Sequence, residues 1–431
     1  MANSDWNPAN IREIVEGSLR LVLPSSTPLP PVDEDWIESG LIDSMAHVEF
    51  LLCVEKALNL PNLFGKGGSA PPQSIRTTIE AVQRALEQRA ENQAAMHESR
   101  PNSSEPSSDH AGIVGWGSAL GSVCVSIDRV EAEFGCSIGK LKERAGIETI
   151  RRVSAGEDEI TLALSAAQKA LMRGGISARA LDYIVGTSET SQGLPSFAAS
   201  LHSAMLAGTN CRALDVGGGC VGLIHCLSMA NSLLSDPSVN CILVASADVH
   251  SRILAPGKVS WEFGGLFGDG ASAFVLRRAS DKGAIAPFAL RAHVGGCAGT
   301  FSSALQIHPR ADGTIALEFD GEALAHAAIE VLGQTISDLK MQVNVSLGDV
   351  HAFALHQPNH RLTEILIRRA RLPAEKVPLV AKSCGNLGAS TCGVAMSAAL
   401  DSLSQKTKSE RGPILVASVG PGMLWAGIAL T

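Results

Sequence analysis

Apolar residues recur with a helical period near the start of the chain. Positions three and four apart are apolar over 11–23, which predicts a first amphipathic helix. After a proline-rich loop, the same pattern predicts helices over 44–60 and 75–87. Over 89–110 the periodicity is lost, and Ser, Pro, Glu and Gln dominate, as in a flexible linker. The first domain is therefore predicted to span 1–88.

The pattern changes after residue 111. Short runs rich in β-branched residues alternate with Ala- and Leu-rich helical stretches, which is typical of βαβ units. Strands buried on both faces are predicted at 111–115, 183–186, 242–246, 273–276, 352–355, 414–418 and 427–430. We therefore expect an α/β domain over 111–431.

One strand pattern occurs twice. The letters ILVAS at 242–246 recur unchanged at 414–418, and each copy follows another strand-like run by about sixty residues. Each copy is also followed by a glycine-containing turn and a further apolar strand. Because order and spacing match as well as composition, the repeat predicts two duplicated halves of about 111–280 and 281–431.

Composition agrees with this division and excludes several functions. A chain of 431 residues with 45% apolar content is large enough for at least two packed domains. Its 42 glycines and 4% aromatic content suit closely packed parallel strands and helices. The net charge of −8, without a long basic run, disfavours binding to nucleic acid or to an anionic membrane.

The cysteines and the first residues of the chain indicate the cellular compartment of the protein. The ten cysteines are scattered and never spaced as C-x-x-C, so neither a zinc site nor a disulfide framework is expected. The first residues lack a basic segment followed by an apolar one, and no apolar run reaches the roughly 18 residues of a membrane span. We expect a cytoplasmic protein.

Ser44 lies at the predicted start of the second helix, in the sequence ESGLIDSM. Taken alone, a serine there predicts a helix cap, but Asp43 competes for that position. The motif, in a helical unit of about 80 residues followed by a linker, resembles an acyl carrier protein. The resemblance implies 4′-phosphopantetheine on Ser44, attached by a phosphopantetheinyl transferase, beside helix N–H groups that favour a phosphate. This helix is less acidic than usual, with only Glu49 and Glu55.

Cys220 follows three glycines and precedes an apolar helical run. The glycine run lacks both the G-x-G-x-x-G spacing and a Walker lysine, so nucleotide binding is disfavoured. A cysteine on a tight turn at a helix N-terminus is expected to have a lowered pKa, because the helix dipole stabilises the thiolate. The alternative is a small buried apolar residue, which describes most of the other cysteines.

Four further motifs accompany Cys220. His356 lies in LHQPN after a predicted strand, Asn386 lies in CGNLGAS, and the chain also contains FGDGA at 267–271 and VGPG at 419–422. In order and spacing they resemble ketoacyl-acyl carrier protein synthase III, of the thiolase superfamily, over 111–431. The implied architecture is a small all-α carrier bundle of four-helix type, joined to a thiolase-like α/β fold with a duplicated five-layer αβαβα core. A homodimer is also implied.

The same resemblance implies roles for individual residues. Cys220 corresponds to the acylated nucleophile, and His356 with Asn386 to the pair that stabilises the enolate in decarboxylative condensation. The backbone N–H groups of Cys220 and Gly422 would hold the oxyanion. The expected reaction is a decarboxylative Claisen condensation in polyketide or fatty-acid-like biosynthesis.

Two other patterns are not expected to add a metal site or a further catalytic residue. His356 and His360 are spaced as metal ligands on a helix would be, but Pro358 lies between them and no H-E-x-x-H carboxylate is present, so no metal is expected. Asp269, in the GDG motif, is expected to bond backbone groups and to be structural.

Two positions depart from the family pattern. Lys140 stands where relatives that use acyl-coenzyme A have a tryptophan that stacks on adenine, although Arg144 is retained. We therefore expect acyl thioesters on a carrier, more than on coenzyme A, as primers. Leu194 stands where a bulkier residue reaches across the dimer to cap the partner's acyl pocket, which implies a longer or branched acyl chain.

Two other functions remain open at this stage. Cys220 could transfer its acyl group to an alcohol, an amine or a carrier without forming a carbon–carbon bond. A non-catalytic carrier scaffold is the third hypothesis. The retained Asn386 favours condensation, because simple acyl transfer needs no enolate-stabilising pair.

Overall fold

A computed structural model describes most of the chain. The described residues are 8–25, 27–58, 60, 63–64, 71–92, 110–191, 193–280, 288–310, 314–407 and 410–431. They divide into two compact units. The first contains the described residues up to Asn92 together with Ser303–Leu305 and Phe319–Glu330, and the second contains the rest. Most of the predicted linker, 93–109, lies outside the described residues.

The first unit contains the three helices that the sequence predicts. They are α1 (Pro8–Val22), α2 (Ser44–Leu58) and α3 (Ile75–Asn92). Helix α3 continues past the predicted end at residue 87, because Gln, Arg, Ala and Glu there are good helix formers. The apolar faces of the three helices meet around Trp36 and Phe50, whose rings pack edge to face with centroids 5.1 Å apart.

A buried polar network also lies within the first unit. Glu55 of α2 is 2% exposed, and its Oε1 lies 3.2 Å from His326 Nε2 and accepts the Phe64 N–H at 3.1 Å. His47, also buried, contacts Glu322 through Nδ1. Burying these groups is tolerated because each has a polar neighbour. Glu55, one of the two acidic residues of α2, is therefore not part of the surface of this helix.

The second unit is an α/β structure, as predicted. Its strands are β1 (Ala111–Leu120), β2 (Val123–Ser126), β3 (Thr149–Arg152), β4 (Tyr183–Thr187), β5 (Arg212–Asp215), β6 (Ile242–Val249), β7 (Asp269–Arg278), β8 (Phe288–Cys297), β9 (Leu305–Pro309), β10 (Ile315–Phe319), β11 (Ala352–Leu355), β12 (Ile414–Gly420) and β13 (Leu424–Leu430).

Helices alternate with these strands. They are α4 (Ile127–Phe134), α5 (Lys140–Ala145), α6 (Glu159–Gly174), α7 (Phe197–Met205), α8 (Gly222–Leu233), α9 (His250–Ile253), α10 (Trp261–Gly264), α11 (Gly321–Gln342), α12 (His360–Ala370), α13 (Ala381–Cys384) and α14 (Ser390–Ser404). None of the helices in the described part of the chain is both long and apolar enough to cross a membrane.

Nine strands form one mixed sheet, in the order β11-β12-β13-β8-β1-β7-β6-β4-β5. The antiparallel pairing of β1 with β8 joins two halves of this sheet. In one half, β4-β6-β7-β1 are neighbours, and in the other β11-β12-β13-β8 are neighbours in the same relative directions. The two halves of the sheet therefore have the same order and relative directions of strands.

The repeated ILVAS segments occupy equivalent strands in the same register. Ile242 pairs with Tyr183 on one side and Leu276 on the other. Ile414 pairs with Ala352 and Leu430 in the corresponding way. Both copies are buried along their length, which explains why they read as continuous apolar runs.

Helices α8 and α14 contribute to one core together with residues from both halves of the sheet. The contact of α14 with the sheet is close at Gly393, where an added Cβ would lie 1.9 Å from Ser272 Oγ. Ser272 is held in place, because its hydroxyl is 2.8 Å from that of Ser246, which in turn is 2.9 Å from that of Ser390. There is no room for a side chain at Gly393.

Two glycine substitutions test this packing. Gly393→Ala is expected to destabilise the second unit by about 1–3 kcal/mol or more, because the methyl group clashes with Ser272. Gly333→Ala, in helix α11, is the matched control, because an added Cβ there meets nothing within 4 Å. It is expected to stabilise by about 0.5–1 kcal/mol. Urea unfolding measures both, and equal midpoints for the two variants would contradict the packing described.

Candidate active site

Cys220 lies on a single 3-10 turn, Gly219–Val221, directly before α8. Gly218 and Gly219 have φ values of 137° and 54°, which favour glycine, and an added Cβ at Gly218 would lie 2.6 Å from His225 Nδ1. The Ser418 hydroxyl donates to the Cys220 carbonyl at 2.8 Å. The glycine run therefore fixes the turn that holds Cys220, which is 8% exposed.

His356 directly follows β11, and its N–H donates to the Ala417 carbonyl of β12 at 2.9 Å. The side chain is buried at 3% exposure. Burial lowers the pKa of His356 to about 4, although the nearby charge of Glu189 opposes this shift. The ring is therefore neutral at pH 7 and retains one N–H donor.

Asn386 lies between α13 and α14. Its Oδ1 accepts the Gly388 N–H at 3.0 Å and lies 3.3 Å from the Thr391 hydroxyl. Its backbone N–H donates to Leu266 O at 2.8 Å. With the side-chain oxygen occupied, the amide nitrogen is left as the group that can donate to a ligand.

Gln357 fixes the loop that contains His356, and the sequence analysis missed this residue. It is fully buried, and its Nε2 donates to Pro378 O at 2.6 Å. Its Oε1 accepts the N–H groups of Val380 and Ala381 at 2.8 and 3.1 Å. One amide therefore ties the His356 loop to the segment that leads through α13 to Asn386.

An acidic cluster beside Cys220 was also missed. The carboxyl group of Glu189, in the loop after β4, lies beside the Cys220 thiol. Glu189 Oε2 lies 3.5 Å from His250 Nε2, and the Glu189 backbone N–H donates to Asp248 Oδ1 at 2.6 Å. Burial and the charge of Glu189 raise the pKa of Asp248 to about 7. The only signal in the sequence was the position of these residues at the ends of buried strands.

The expected lowering of the Cys220 pKa is wrong. Burial raises the pKa of Cys220 well above its usual value, and the negative charges of Glu189 and Asp248 raise it further. These carboxyl groups outweigh the dipole of the helix that follows the turn. Cys220 is therefore a thiol, and not a thiolate, in the resting site.

The GPG turn lies next to Cys220. An added Cβ at Gly420 would lie 3.4 Å from Cys220 N, and one at Gly219 would lie 3.2 Å from Pro421 Cδ. Gly422 has a φ of 73° within the 3-10 turn Pro421–Met423. The arrangement brings the backbone of this turn to the nucleophile, although the oxyanion role of the Gly422 N–H stays a prediction.

Asp269 has the structural role expected of it. It is fully buried, and its carboxylate accepts the N–H groups of Val153 at 2.8 Å and Ser251 at 2.9 Å. It is, however, the first residue of β7 and does not lie in a turn. His360, the second member of the histidine pair considered as metal ligands, lies 3.5 Å from Glu364 on α12.

The other predicted site residues lie on exposed elements. Arg144 is on α5, and its guanidinium carbon lies 5.6 Å from the centre of the Trp261 ring. Trp261, half-buried on α10, is an aromatic surface that the sequence analysis did not identify. Lys140, at the start of α5, is exposed. Leu194 is 95% exposed and precedes Pro195 through a cis peptide.

Ser44 is the first residue of α2. The carboxylate of Asp43 accepts the Ala46 N–H at 2.7 Å, so the aspartate caps the helix. The competition for the cap noted in the sequence is thus decided for Asp43. The preceding residues Glu38, Ser39 and Gly40 are exposed.

Comparison with known proteins gives a consistent result. The profile of 3-oxoacyl-[acyl-carrier-protein (ACP)] synthase III matches residues 214–293, and that of its C-terminal part matches 341–431. The beta-ketoacyl-[acyl-carrier-protein] synthases III of Bordetella petrii and Ehrlichia ruminantium are each 31% identical to the chain. They cover 74% of it, and the alignments span 97% and 98% of those proteins.

Solved structures share the fold. The crystal structure of 3-oxoacyl-(acyl carrier protein) synthase III from Pseudomonas aeruginosa has a TM-score of 0.66 at 25% identity, covering 74% of this chain and 98% of that one. The priming beta-ketosynthase of the R1128 polyketide pathway has a TM-score of 0.66 at 23% identity, covering 77% and 98%. The second unit is therefore similar to these enzymes over nearly their whole length.

Thr391→Val tests how Asn386 is held. The hydroxyl of Thr391 accepts the buried N–H of Leu387 at 2.9 Å and contacts Asn386 Oδ1, so its loss leaves the Leu387 N–H without a partner and removes one of the two contacts that hold Oδ1. We expect a loss of about 1–3 kcal/mol in stability and a fall of roughly tenfold or more in malonyl decarboxylation. Ser404→Ala, at the exposed end of the same helix, is the control for α14. Wild-type decarboxylation in Thr391→Val would contradict the positioning role.

Proposed function

Because the chain belongs to the beta-ketoacyl-[acyl-carrier-protein] synthase III family, we propose that it joins an acyl group held on Cys220 to a malonyl-type thioester by decarboxylative Claisen condensation. The observation that carries this proposal is the Asn386 amide, whose oxygen is occupied by Gly388 and Thr391. An amide fixed in this way serves as a donor to an enolate. A transfer of the acyl group to an alcohol would not need it.

The reaction has two stages. In the first, Cys220 Sγ attacks the carbonyl carbon of an acyl thioester, and the donor's sulfur leaves. In the second, a malonyl-type thioester loses CO₂, and the resulting enolate oxygen accepts hydrogen bonds from neutral His356 and Asn386. The carbanion attacks the acyl carbon on Cys220, the bond to Sγ breaks, and a β-ketoacyl thioester forms. Sγ leaves as a thiolate and takes a proton from water, which restores the thiol. Backbone N–H groups of Cys220 and Gly422 hold the oxyanions.

Pantetheine thioesters are the proposed donor class, carried on an acyl carrier protein or on coenzyme A. Lys140 offers no ring for adenine, which favours carrier-bound primers. Trp261 beside Arg144 provides an aromatic face from another helix, so coenzyme A donors stay within the proposal.

The reducing compartment implied by ten free cysteines agrees with a cytoplasmic enzyme of this kind.

The first unit is proposed to be an acyl carrier domain of the four-helix type, modified on Ser44 by a phosphopantetheinyl transferase. Asp43 caps α2, so the serine is not needed as the cap, and the exposed segment before it gives a modifying enzyme access. When bound, 4′-phosphopantetheine supplies a thiol that holds acyl groups as thioesters. A carrier on the same chain has an effective concentration on the order of mM toward Cys220.

We also propose a homodimer. Strand β5 lies at the edge of the sheet, and all four of its residues are exposed. Such an edge offers unpaired backbone groups to a second strand. In the dimer, the exposed Leu194 would reach the partner's acyl pocket, where its modest size leaves room for a long or branched chain.

Leu194→Trp tests the chain-length proposal. Wild type is expected to load octanoyl groups better than acetyl groups, as measured by intact mass. A bulkier cap should lower octanoyl loading about tenfold or more while acetyl loading changes little. Met172→Trp, a similar change at a 79% exposed position on α6, is the control. Preferential loading of acetyl groups by the wild-type chain would refute the proposal.

The two attachment sites are tested together by mass spectrometry of the full chain, incubated with a phosphopantetheinyl transferase, coenzyme A, and malonyl and acyl donors. We expect a pantetheine adduct on Ser44, an acyl group on Cys220, and product formation with release of CO₂. Of the two attachments, Ser44→Ala should lose only the pantetheine adduct and Cys220→Ala only the acyl group; Cys220→Ala should therefore also form no condensation product. Ser39→Ala and Cys124→Ala, at exposed positions, should keep both.

Two results would contradict the proposed function. Transfer of the acyl group to an added alcohol without CO₂ release would show acyl transfer in place of condensation. Acylation of the same peptide in Cys220→Ala would place the nucleophile elsewhere. A missing adduct on Ser44 would refute the carrier assignment alone.

A further inference from the structure

The surroundings of the Cys220 thiol contain a base that the proposed function does not use. The carboxyl group of Glu189 lies beside the thiol and interacts with it. Its carboxylate also lies against the cysteine turn, because an added Cβ at Gly219 would be 3.8 Å from Oε1. Oε1 is a buried oxygen that has no hydrogen-bond partner among the described residues. The inference below rests on Cys220 being the proposed nucleophile.

Glu189 is held firmly in this position. Its backbone N–H donates to Asp248 Oδ1 at 2.6 Å, and the neighbouring Ser188 hydroxyl contacts the same oxygen at 3.4 Å. Its Oε2 faces His250 Nε2 at 3.5 Å, and the His250 side chain is 3% exposed. The His250 ring packs on Phe267 with centroids 4.5 Å apart. Both the backbone and the carboxylate of Glu189 are therefore fixed.

The groups near Cys220 differ in their ability to take a proton. His356 is a weak base, because burial lowers its pKa to about 4. Burial lowers the pKa of His250, but Glu189 and Asp248 outweigh it and leave the pKa of His250 raised. Burial raises the pKa of Glu189, but His250 and Cys220 outweigh it and leave the pKa lowered. Glu189 is thus the ionised base in contact with the thiol.

We propose that Glu189 is a catalytic residue that accepts the proton of Cys220 as Sγ attacks the acyl thioester. The bond from Sγ to the acyl carbon forms, and the bond from that carbon to the donor's sulfur breaks. The proton passes from Sγ to a carboxylate oxygen of Glu189 and then to the departing sulfur, which leaves as a thiol. The carboxylate is thereby restored, and His250 acts as a positioning residue for it.

The two carboxyl groups near Cys220 explain why the proton must leave Sγ while Sγ attacks the acyl thioester. Two carboxyl groups near the sulfur make a free thiolate unfavourable in the resting site. A thiolate formed in advance would carry the reaction only at high pH. A base in contact with the thiol removes this requirement, because charge on sulfur never fully develops.

The experiment compares two reactions of the same thiol in the full-length chain. The first is acylation of Cys220 in a single turnover, with the S-acyl pantetheine that wild type loads fastest, followed by peptide mass. The second is alkylation of Cys220 by iodoacetamide, which reports the thiolate. Glu189→Gln should slow acylation at pH 7 by about 10²- to 10⁴-fold. It should speed up alkylation, because a negative charge beside the sulfur is removed.

The pH profile separates catalysis from a structural role. Wild-type acylation is expected to vary little between about pH 6 and 8, because Glu189 remains ionised there. In Glu189→Gln, acylation should rise about tenfold per pH unit, because only the thiolate reacts. Glu189→Asp, which keeps a carboxylate, should recover part of the rate. Glu375→Gln, at an exposed position on a 3-10 turn, should match wild type in both reactions.

Three results would overturn the proposal. The first is acylation in Glu189→Gln at the wild-type rate. The second is a tenfold rise per pH unit in wild type itself. The third is acylation and alkylation falling together in Glu189→Gln and in Glu189→Asp, as expected from a misfolded site. A wild-type chain that is never acylated on Cys220 would instead refute the proposed function, and the role of Glu189 with it.

Discussion

The site depends on close contact between helices and strands at glycines, where a side chain would not fit. At the start of α8, an added Cβ on Gly222 would lie 2.3 Å from Thr187 Oγ1 of β4. On α14, Gly393 meets Ser272 of β7 in the same way. Because both helices lie directly against the sheet, the turns at their N-terminal ends, which contain Cys220 and Asn386, are fixed relative to the strands. Loosening either contact would displace a reacting group.

The arrangement of charges in the site follows from this tight packing. Glu189 and Asp248 are brought near each other by the ends of β4 and β6, which are hydrogen-bonded neighbours in the sheet. Two carboxylates so close together would repel each other. His250 lies beside Glu189, and the pKa of Asp248 is raised, and both reduce this repulsion. The same cluster keeps the sulfur of Cys220 protonated. A buried thiol is also slower to oxidise than an exposed thiolate, so the site is protected while no substrate is present.

Much of the fold could be predicted because the strands of the second unit are buried on both faces and therefore read as apolar runs. The predicted ends were less accurate, and strands β1 and β6 extend to Leu120 and Val249, well past the predicted limits. Their last residues include Gly, Ser and Asp, which indicate turns when the sheet around them is unknown. Local composition therefore predicted where the strands lie but not where they end.

Some residues of the candidate site could be predicted from the sequence, and others could not. Cys220, His356 and Asn386 each lie in a local motif, so the sequence alone indicated them. Glu189 and Gln357 do not, because a carboxylate or an amide becomes part of a site only when distant strands and loops are brought together. The predicted direction of the Cys220 pKa shift was wrong for this reason. The sequence indicated the helix N-terminus beside Cys220, but it did not indicate the two carboxyl groups near the sulfur.

The duplicated sheet gives the molecule two equivalent strand ends beside the nucleophile. The first ILVAS strand, β6, continues into Asp248 and His250, and so supplies charged side chains. The second, β12, ends in Gly420 and is followed by Pro421 and Gly422, so it supplies mostly main chain and no charged side chain. The two ends can differ in composition, because the equivalent strand register keeps both in place. Charged side chains and close backbone approach, which make opposite demands on a loop, are thereby separated between the two halves of the sheet.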